Sequence, residues 1–414
     1  LAFLENEHCK QLLLSSQISE VVFYNLVSKY NPNLICLPKS TDLTPKDYEV
    51  FIQNDDTTVL KSIKNFKHKI NPDLGLLLST SGSTGSPKLV MLSYKNLISN
   101  AQSIAEYLNI TSSDRALTTL PMSYAYGLSI IHSHLIKGAT IVLSELSVMD
   151  KNFWSLIAEA NVTSFGGVPY TYEMLKRLKF DKQDFKSLRY ITQAGGKLKP
   201  ELVKFFGDIC ESKDIEFIIM YGQTEATARM SYFSYSKHKD KYGSIGKAIP
   251  GGEFFLENEN TQRIKESNTI GELVYKGDNV SLGYAKNPSE LQIPDQREGV
   301  LKTGDLARMD EDGFYYIVGR KNRFLKICGN RYSLGELENI LDQNKIEALC
   351  SGNDDLLVIF TTSENSNAKK IISSTVKINP RYIKTMLLEE FPRNSYGKVD
   401  HKALKELVNK EFNK

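Results

Sequence analysis

The sequence predicts an α/β protein: a large N-terminal part with mainly parallel sheets flanked by helices plus a β-rich subdomain, and a small mobile α+β domain at the C-terminus. Three observations carry this. Between Leu135 and Met220, short β-rich runs alternate with helical patterns, as βαβ units of a parallel sheet do. After Ser244 the pattern changes to short strands and turns. After Arg320 a polar, aperiodic cluster, Lys321-Asn322-Arg323, separates off a final unit of fewer than a hundred residues.

Taken in order, Leu74–Leu78 is an apolar run of strand length, and Lys88–Leu92 reads as a second strand. Ser93 then fits a helix N-cap, with Tyr94, Leu97, Ile98, Ala101, Ile104, Ala105 and Leu108 on one face of the helix that follows. The alternation continues as strand Ala139–Leu143, helix Phe153–Ala160, strand Val162–Phe165 and a helix near Tyr170–Leu178. Strand Leu188–Thr192, helix Pro200–Glu211 and strand Ile215–Met220 complete it. Gly271–Lys276, Val300–Leu306 and Gly313–Val318 supply the β-rich part, and Lys402–Lys414 reads as a solvated amphipathic helix. The expected boundaries are a core over 1–320, a hinge at 321–323 and a mobile unit over 324–414.

Composition narrows the function. The 414 residues carry 52 basic and 49 acidic side chains, a net charge of +3, which leaves no strong field for nucleic acid. Five scattered cysteines without a CxxC pair fit a reducing compartment. No signal-peptide pattern and no apolar stretch of membrane-spanning length occurs, so no membrane span and a cytoplasmic location are expected. His132 and His134 lie two apart in an apolar stretch with no neighbours to complete a zinc set, and are expected to be packed.

The most specific local feature is Thr80-Ser81-Gly82-Ser83-Thr84-Gly85-Ser86-Pro87-Lys88. Glycines let backbone amides turn inward as an anion nest, hydroxyls add donors and the lysine adds charge, so the loop fits phosphate. Its spacing is neither GxxxxGK[ST] nor GxGxxG, and it lies between two strands, not before a helix. Two further polar segments fall at strand ends, where open parallel sheets collect ligands: Gln193-Ala194-Gly195-Gly196 and Tyr221-Gly222-Gln223-Thr224-Glu225.

The order of these segments, continued by Thr303-Gly304-Asp305, Gly319-Arg320 and Gly397-Lys398, resembles the adenylate-forming superfamily of acyl-CoA synthetases, nonribosomal-peptide adenylation domains and luciferases. The resemblance runs from about Leu74 to Lys398. It implies activation of a carboxylic acid with ATP and Mg²⁺ as an acyl-adenylate, then transfer to a thiol of CoA or an acyl carrier protein. By resemblance Thr80–Lys88 holds the β- and γ-phosphates, Gly195 and Gly196 line the nucleotide site, and Tyr221 with Gly222 takes adenine. Thr224 bonds the α-phosphate, Glu225 binds the metal, Asp305 takes the ribose hydroxyls, Arg320 approaches ribose or phosphate, and Lys398 is the C-terminal catalytic lysine. These roles suit the chemistry: joining two anions needs donors, a hard cation on carboxylate oxygen and a mobile positive charge.

The acid pocket is assigned by the same resemblance to Tyr124, Tyr126 and Gly127 within Leu120–Leu128, together with Gly166, Gly167, Val168 and Ala194, whose small side chains are expected to leave room for an acyl chain or ring. No Asp lies between Thr118 and Ser133, which argues against a free α-amino acid. Asn322 stands at the pivot where the family often has Asp or Lys, and Leu334 where it often has Pro, so thiolation is less firmly implied than adenylation. Only 79 residues precede the phosphate loop, and the N-terminal subdomain is expected to be shortened. Two alternatives stay open: a catalytically silent nucleotide-binding module, and a luciferase-like oxidoreductase using the same adenylate.

Overall fold

The computed structural model describes residues 10–16, 18–64, 66–79, 88–321, 323–328, 330–353, 356–364, 367–394 and 397–412. Thr80, Ser81, Gly82, Ser83, Thr84 and Gly85 of the phosphate loop, and the pivot Asn322, lie outside the described residues.

The hairpin reading holds. Leu74–Ser79 pairs antiparallel with Leu89–Ser93, so Lys88 sits at the mouth of the connection. Ser93 caps the helix Tyr94–Tyr107: its Oγ accepts from the Asn96 amide at 3.0 Å while Asn96 Oδ1 accepts from the Ser93 amide at 2.8 Å. The side chain of Asn96 donates its Nδ2 at 2.7 Å to both the Asp278 and Val280 carbonyls, which fastens this helix start to the β-rich part. Six of the seven apolar positions on the predicted face are buried; Ile98 is half-buried at its margin.

Among the described residues the largest sheet has seven strands in the order Lys247–Ala248, Ser231–Ser234, Glu216–Tyr221, Tyr190–Gln193, Ser164–Gly167, Arg115–Leu117, Thr140–Val142. The last five run parallel; at one edge Ser231–Ser234 pairs antiparallel with Glu216–Tyr221, and Lys247–Ala248 antiparallel with Ser231–Ser234. Because the strands Tyr190–Gln193 and Glu216–Tyr221 point the same way, the segments after Gln193 and Tyr221 emerge side by side. The helices Asn152–Glu159, Pro169–Arg177 and Pro200–Ser212 contribute Phe153, Tyr172, Leu175 and Phe206 to a core with Phe165 and Phe217 from the sheet. Full burial of such rings stabilises by about 2–3 kcal/mol each.

The β-rich part is a five-stranded antiparallel sheet in which Val300–Met309 pairs with Tyr315–Arg320, placing Asp305 opposite Arg320. After Arg320 come the ribbon Phe324–Ile327 with Asn330–Ser333 and a three-stranded sheet, Ala348–Asn353, Leu356–Thr361 and Ile383–Leu387. The last helix, His401–Phe412, is amphipathic as expected, with Leu404 and Val408 buried against Val358, Phe360 and Phe391. No helix among the described residues is long and apolar enough to cross a membrane.

Candidate nucleotide and acid site

A cleft of about 1420 Å³ opens between the large part and the C-terminal unit, lined among others by Ser79, Gly195, Gly196, Asp305, Arg320 and Lys398.

Beyond the strand Glu216–Tyr221, the backbone folds into a tight turn, Thr224–Ala226, followed by Thr227 and Ala228 at positive φ, 56° and 92°. A Cβ at Gly222 would stand 1.7 Å from the Ala228 carbonyl oxygen, so only glycine lets the chain double back here. Asp305 anchors this turn. It is buried, and its Oδ2 accepts from the Tyr221 hydroxyl at 2.5 Å and from Gln223 Nε2 at 2.9 Å, while Oδ1 accepts from Arg320 Nε at 2.8 Å. Burial, reinforced by the Asp305 carboxylate, drives the Tyr221 phenol well above its ordinary value and keeps it a donor. Asp305 and Arg320, read separately in the sequence, meet here as an ion pair.

Glu225 is oriented by the Tyr284 hydroxyl, which donates to its Oε1 at 2.7 Å. The Lys88 ammonium lies 3.2 Å from the Tyr284 ring centre, and the Arg297 guanidinium 4.6 Å from it. Arg297 also donates to the Ser281 hydroxyl at 2.8 Å and the Glu225 carbonyl at 3.3 Å. Burial lowers the Lys88 pKa; Glu225 opposes that shift, whereas Lys286 and Arg297 add to it. Sequence reasoning missed Tyr284 and Arg297, because neither sits in a segment with diagnostic spacing. The cationic cluster beside a carboxylate fits a polyphosphate with a divalent cation, the carboxylate taking the metal and the cations the anionic oxygens.

Gln193, buried at the end of its strand, donates Nε2 to the Gly196 carbonyl at 2.9 Å and the Ala194 carbonyl at 3.1 Å, fixing the Gly195-Gly196 loop. Gly195 takes φ +85°, and a Cβ there would meet the Tyr124 hydroxyl at 2.5 Å and Lys398 Cε at 3.2 Å. The Asn394 amide donates to the Lys398 carbonyl at 2.8 Å. Gly397, at φ +72°, lies against Val168. The ammonium sits 4.7 Å from the Tyr124 ring centre, and burial first, then Arg320, bring its pKa down to about 8, with Glu225 pulling the other way.

The acid-pocket residues gather here, with two corrections: beside Gly167 a Cβ would meet Thr171 Cγ2 at 2.8 Å and Tyr172 Cε2 at 3.1 Å, which leaves no room there. The room expected beside Gly166 is filled: a Cβ there would meet the Tyr126 hydroxyl at 2.7 Å, Ile130 Cδ1 at 3.0 Å and Thr192 Oγ1 at 3.1 Å. Tyr126 donates to the Thr192 carbonyl at 2.9 Å and stands edge-on to Tyr124 at 6.2 Å between ring centres. Gly127 lets the first turn of the helix Ala125–Leu135 pass the Pro121 carbonyl, which a Cβ would approach to 2.4 Å. Ala194 is buried behind the loop. The histidines are packed as expected: burial lowers both to about 4, and neutral His134 donates Nδ1–H to the Ile130 carbonyl and accepts from Tyr190.

The chain is 27% identical over 92% of its length to the anguibactin system regulator of Vibrio anguillarum, and spans 38% of that protein. It is 25% identical over 87% of its length to the oxalate–CoA ligase of Saccharomyces cerevisiae, covering 70% of it. The fold matches that of O-succinylbenzoate coenzyme A synthetase (MenE) from Bacillus subtilis in complex with AMP, with a TM-score of 0.72 and 24% identity over 96% of this chain and 83% of that one. Residues 23–285 match the AMP-binding enzymes, and the chain belongs to that family.

Proposed function

We propose that the protein is an AMP-forming acid–thiol ligase: it activates a small carboxylic acid with ATP, releases pyrophosphate, and passes the acyl group to the phosphopantetheine thiol of CoA or an acyl carrier protein. The observation that carries the reading is Lys398, a half-buried lysine whose ammonium lies beside Gly195 and Tyr124, under the fields of Arg320 and Glu225.

In the first half-reaction a carboxylate oxygen of the acid attacks the α-phosphorus of ATP, and the bond to the bridging oxygen breaks with its electrons leaving on pyrophosphate. Lys398 reduces the repulsion between the two anions and stabilises charge developing at the α-phosphate. Thr224 opens the turn after Tyr221 and supplies a hydroxyl beside Glu225. Asp305, already holding Tyr221 and Gln223 in place, presents a carboxylate to ribose hydroxyls. Tyr284 orients Glu225, which is the carboxylate to hold Mg²⁺, and the ion when bound supplies charge neutralisation on the polyphosphate. Lys88 and Arg297 flank the same carboxylate and favour the departing pyrophosphate. In the second half-reaction the thiol sulfur attacks the acyl carbon and AMP leaves; a pivot at 321–323 would withdraw Lys398 to admit the thiol.

ATP–pyrophosphate exchange across a panel of carboxylic acids tests this, with Lys398→Ala as the control. Acid-dependent exchange that the variant loses is the expected result. ATP binding with no exchange for any acid would instead identify a silent nucleotide-binding module.

A further inference from the structure

Arg229 is the largest fully buried side chain among the described residues. Its Nε donates to the Ser129 hydroxyl at 3.0 Å, its Nη1 to the Tyr107 hydroxyl at 3.2 Å and to Met220 Sδ at 3.1 Å, and its guanidinium lies 5.1 Å from the Tyr126 ring centre. Every one of these partners is neutral: burial raises the Tyr107 and Tyr126 phenols, the latter to about 12. Among the described residues no carboxylate stands within ion-pair distance of it, whereas the buried carboxylates Asp114 and Asp305 are each paired with another arginine. A guanidinium cannot shed its proton, so this charge is carried into the interior without a counter-charge.

Its position says what the counter-charge is for. Met220 directly precedes Tyr221, and Arg229 follows Glu225 by four residues, so the guanidinium lies behind the turn assigned to nucleotide and metal. From the cleft inward the order is Lys398, the Tyr124 ring, the Tyr126 ring and Arg229, each in contact with the next. We propose that Arg229 is the specificity residue for a second carboxylate on the acid. The substrate is then a dicarboxylic acid, activated at the carboxylate near Lys398 while its other end pairs with Arg229. In this structure the Tyr126 ring covers the guanidinium, and an acid that reaches it turns the ring aside and frees its hydroxyl from Thr192.

This rests on the acid-activating function proposed above, and the test separates the two. ATP–pyrophosphate exchange by the full chain is measured with malonate, succinate, glutarate and adipate, each against the monocarboxylate of the same carbon number, for the natural protein, Arg229→Lys and Arg229→Gln. At least one dicarboxylate should exceed its partner in kcat/KM by about tenfold or more, as a desolvated charge pair allows. Arg229→Gln should erase that advantage and Arg229→Lys should keep part of it, with the thermal shift produced by ATP unchanged in both. The natural protein decides the matter even if a variant fails to fold. Exchange with monocarboxylates or other singly charged acids, but with no preference for a second carboxylate, overturns the role of Arg229 and leaves acid activation standing. Absence of exchange with every acid overturns both.

Discussion

Raising the pH should switch off adenylation through one group. Burial, aided by Arg320, brings Lys398 from 10.5 down to about 8. At about 1.4 kcal/mol per pKa unit, holding the ammonium in the cleft costs on the order of 3 kcal/mol relative to water. The sign follows from linkage. Between pH 8 and 10.5 the unfolded or opened chain binds the proton that the closed cleft has lost, so closure gains stability as pH rises, while the charged lysine needed for chemistry disappears. In ATP–pyrophosphate exchange, kcat/KM reports the free enzyme and should fall above about pH 8, whereas the limb in kcat should move upward because bound phosphates favour the ammonium. Lys398→Arg keeps its charge throughout and should abolish the limb at lower absolute rate. Lys398→Ala should lose about a hundredfold to a thousandfold at neutral pH. A basic limb that persists unchanged in Lys398→Arg would refute the assignment of the limb, and of the role, to this lysine.

Asp305→Asn leaves Tyr221, Gln223 and Arg320 competing for a single carbonyl oxygen, so the KM for ATP should rise by about tenfold with about 2 kcal/mol lost in urea unfolding. Unchanged nucleotide affinity would remove Asp305 from the ribose site. Tyr284→Phe keeps the ring beneath Lys88 and Arg297 but removes the donor to Glu225, and should raise the Mg²⁺ concentration for half-maximal exchange about fivefold; an unshifted magnesium titration would show that Glu225 needs no such support. Gly195→Ala places a methyl group against the Tyr124 hydroxyl and Lys398 at a backbone φ of +85°. Adenylation should fall while thiol transfer from supplied acyl-adenylate survives, and equal loss of both would mean plain misfolding.

What the sequence made legible was local. The hairpin around the phosphate loop, the Ser93 cap and the alternating strands and helices follow from apolar period and capping chemistry, which act over a few residues. Strand-end positions for Gly195 and Tyr221 followed from the same alternation. What stayed hidden depends on pairing between distant segments. The register that sets Asp305 opposite Arg320, the Tyr126 hydroxyl filling the space beside Gly166, and Tyr284 reaching Glu225 are tertiary facts with no local signature. Arg229 is the sharpest case, since an arginine read from sequence defaults to the surface and only packing shows this one to be interior.

The forces on the C-terminal unit bear on how such an enzyme would turn over. Its polar contacts with the large part include Arg393 with Glu173 at 3.2 Å and Lys199 with Glu347 at 2.8 Å, the latter pair about half exposed. Exposed pairs of this kind contribute about 0–1 kcal/mol each. Against them stands the ammonium of Lys398, whose desolvation is larger than either pair supplies. Anions placed between Lys398, Arg320 and Lys88 would favour closure. Under the proposed reaction, loss of pyrophosphate would remove most of that negative charge at the moment adenylation is complete. In the function proposed above, the same electrostatics that would bring the lysine in for the first half-reaction would then favour its withdrawal before the second, without any separate trigger.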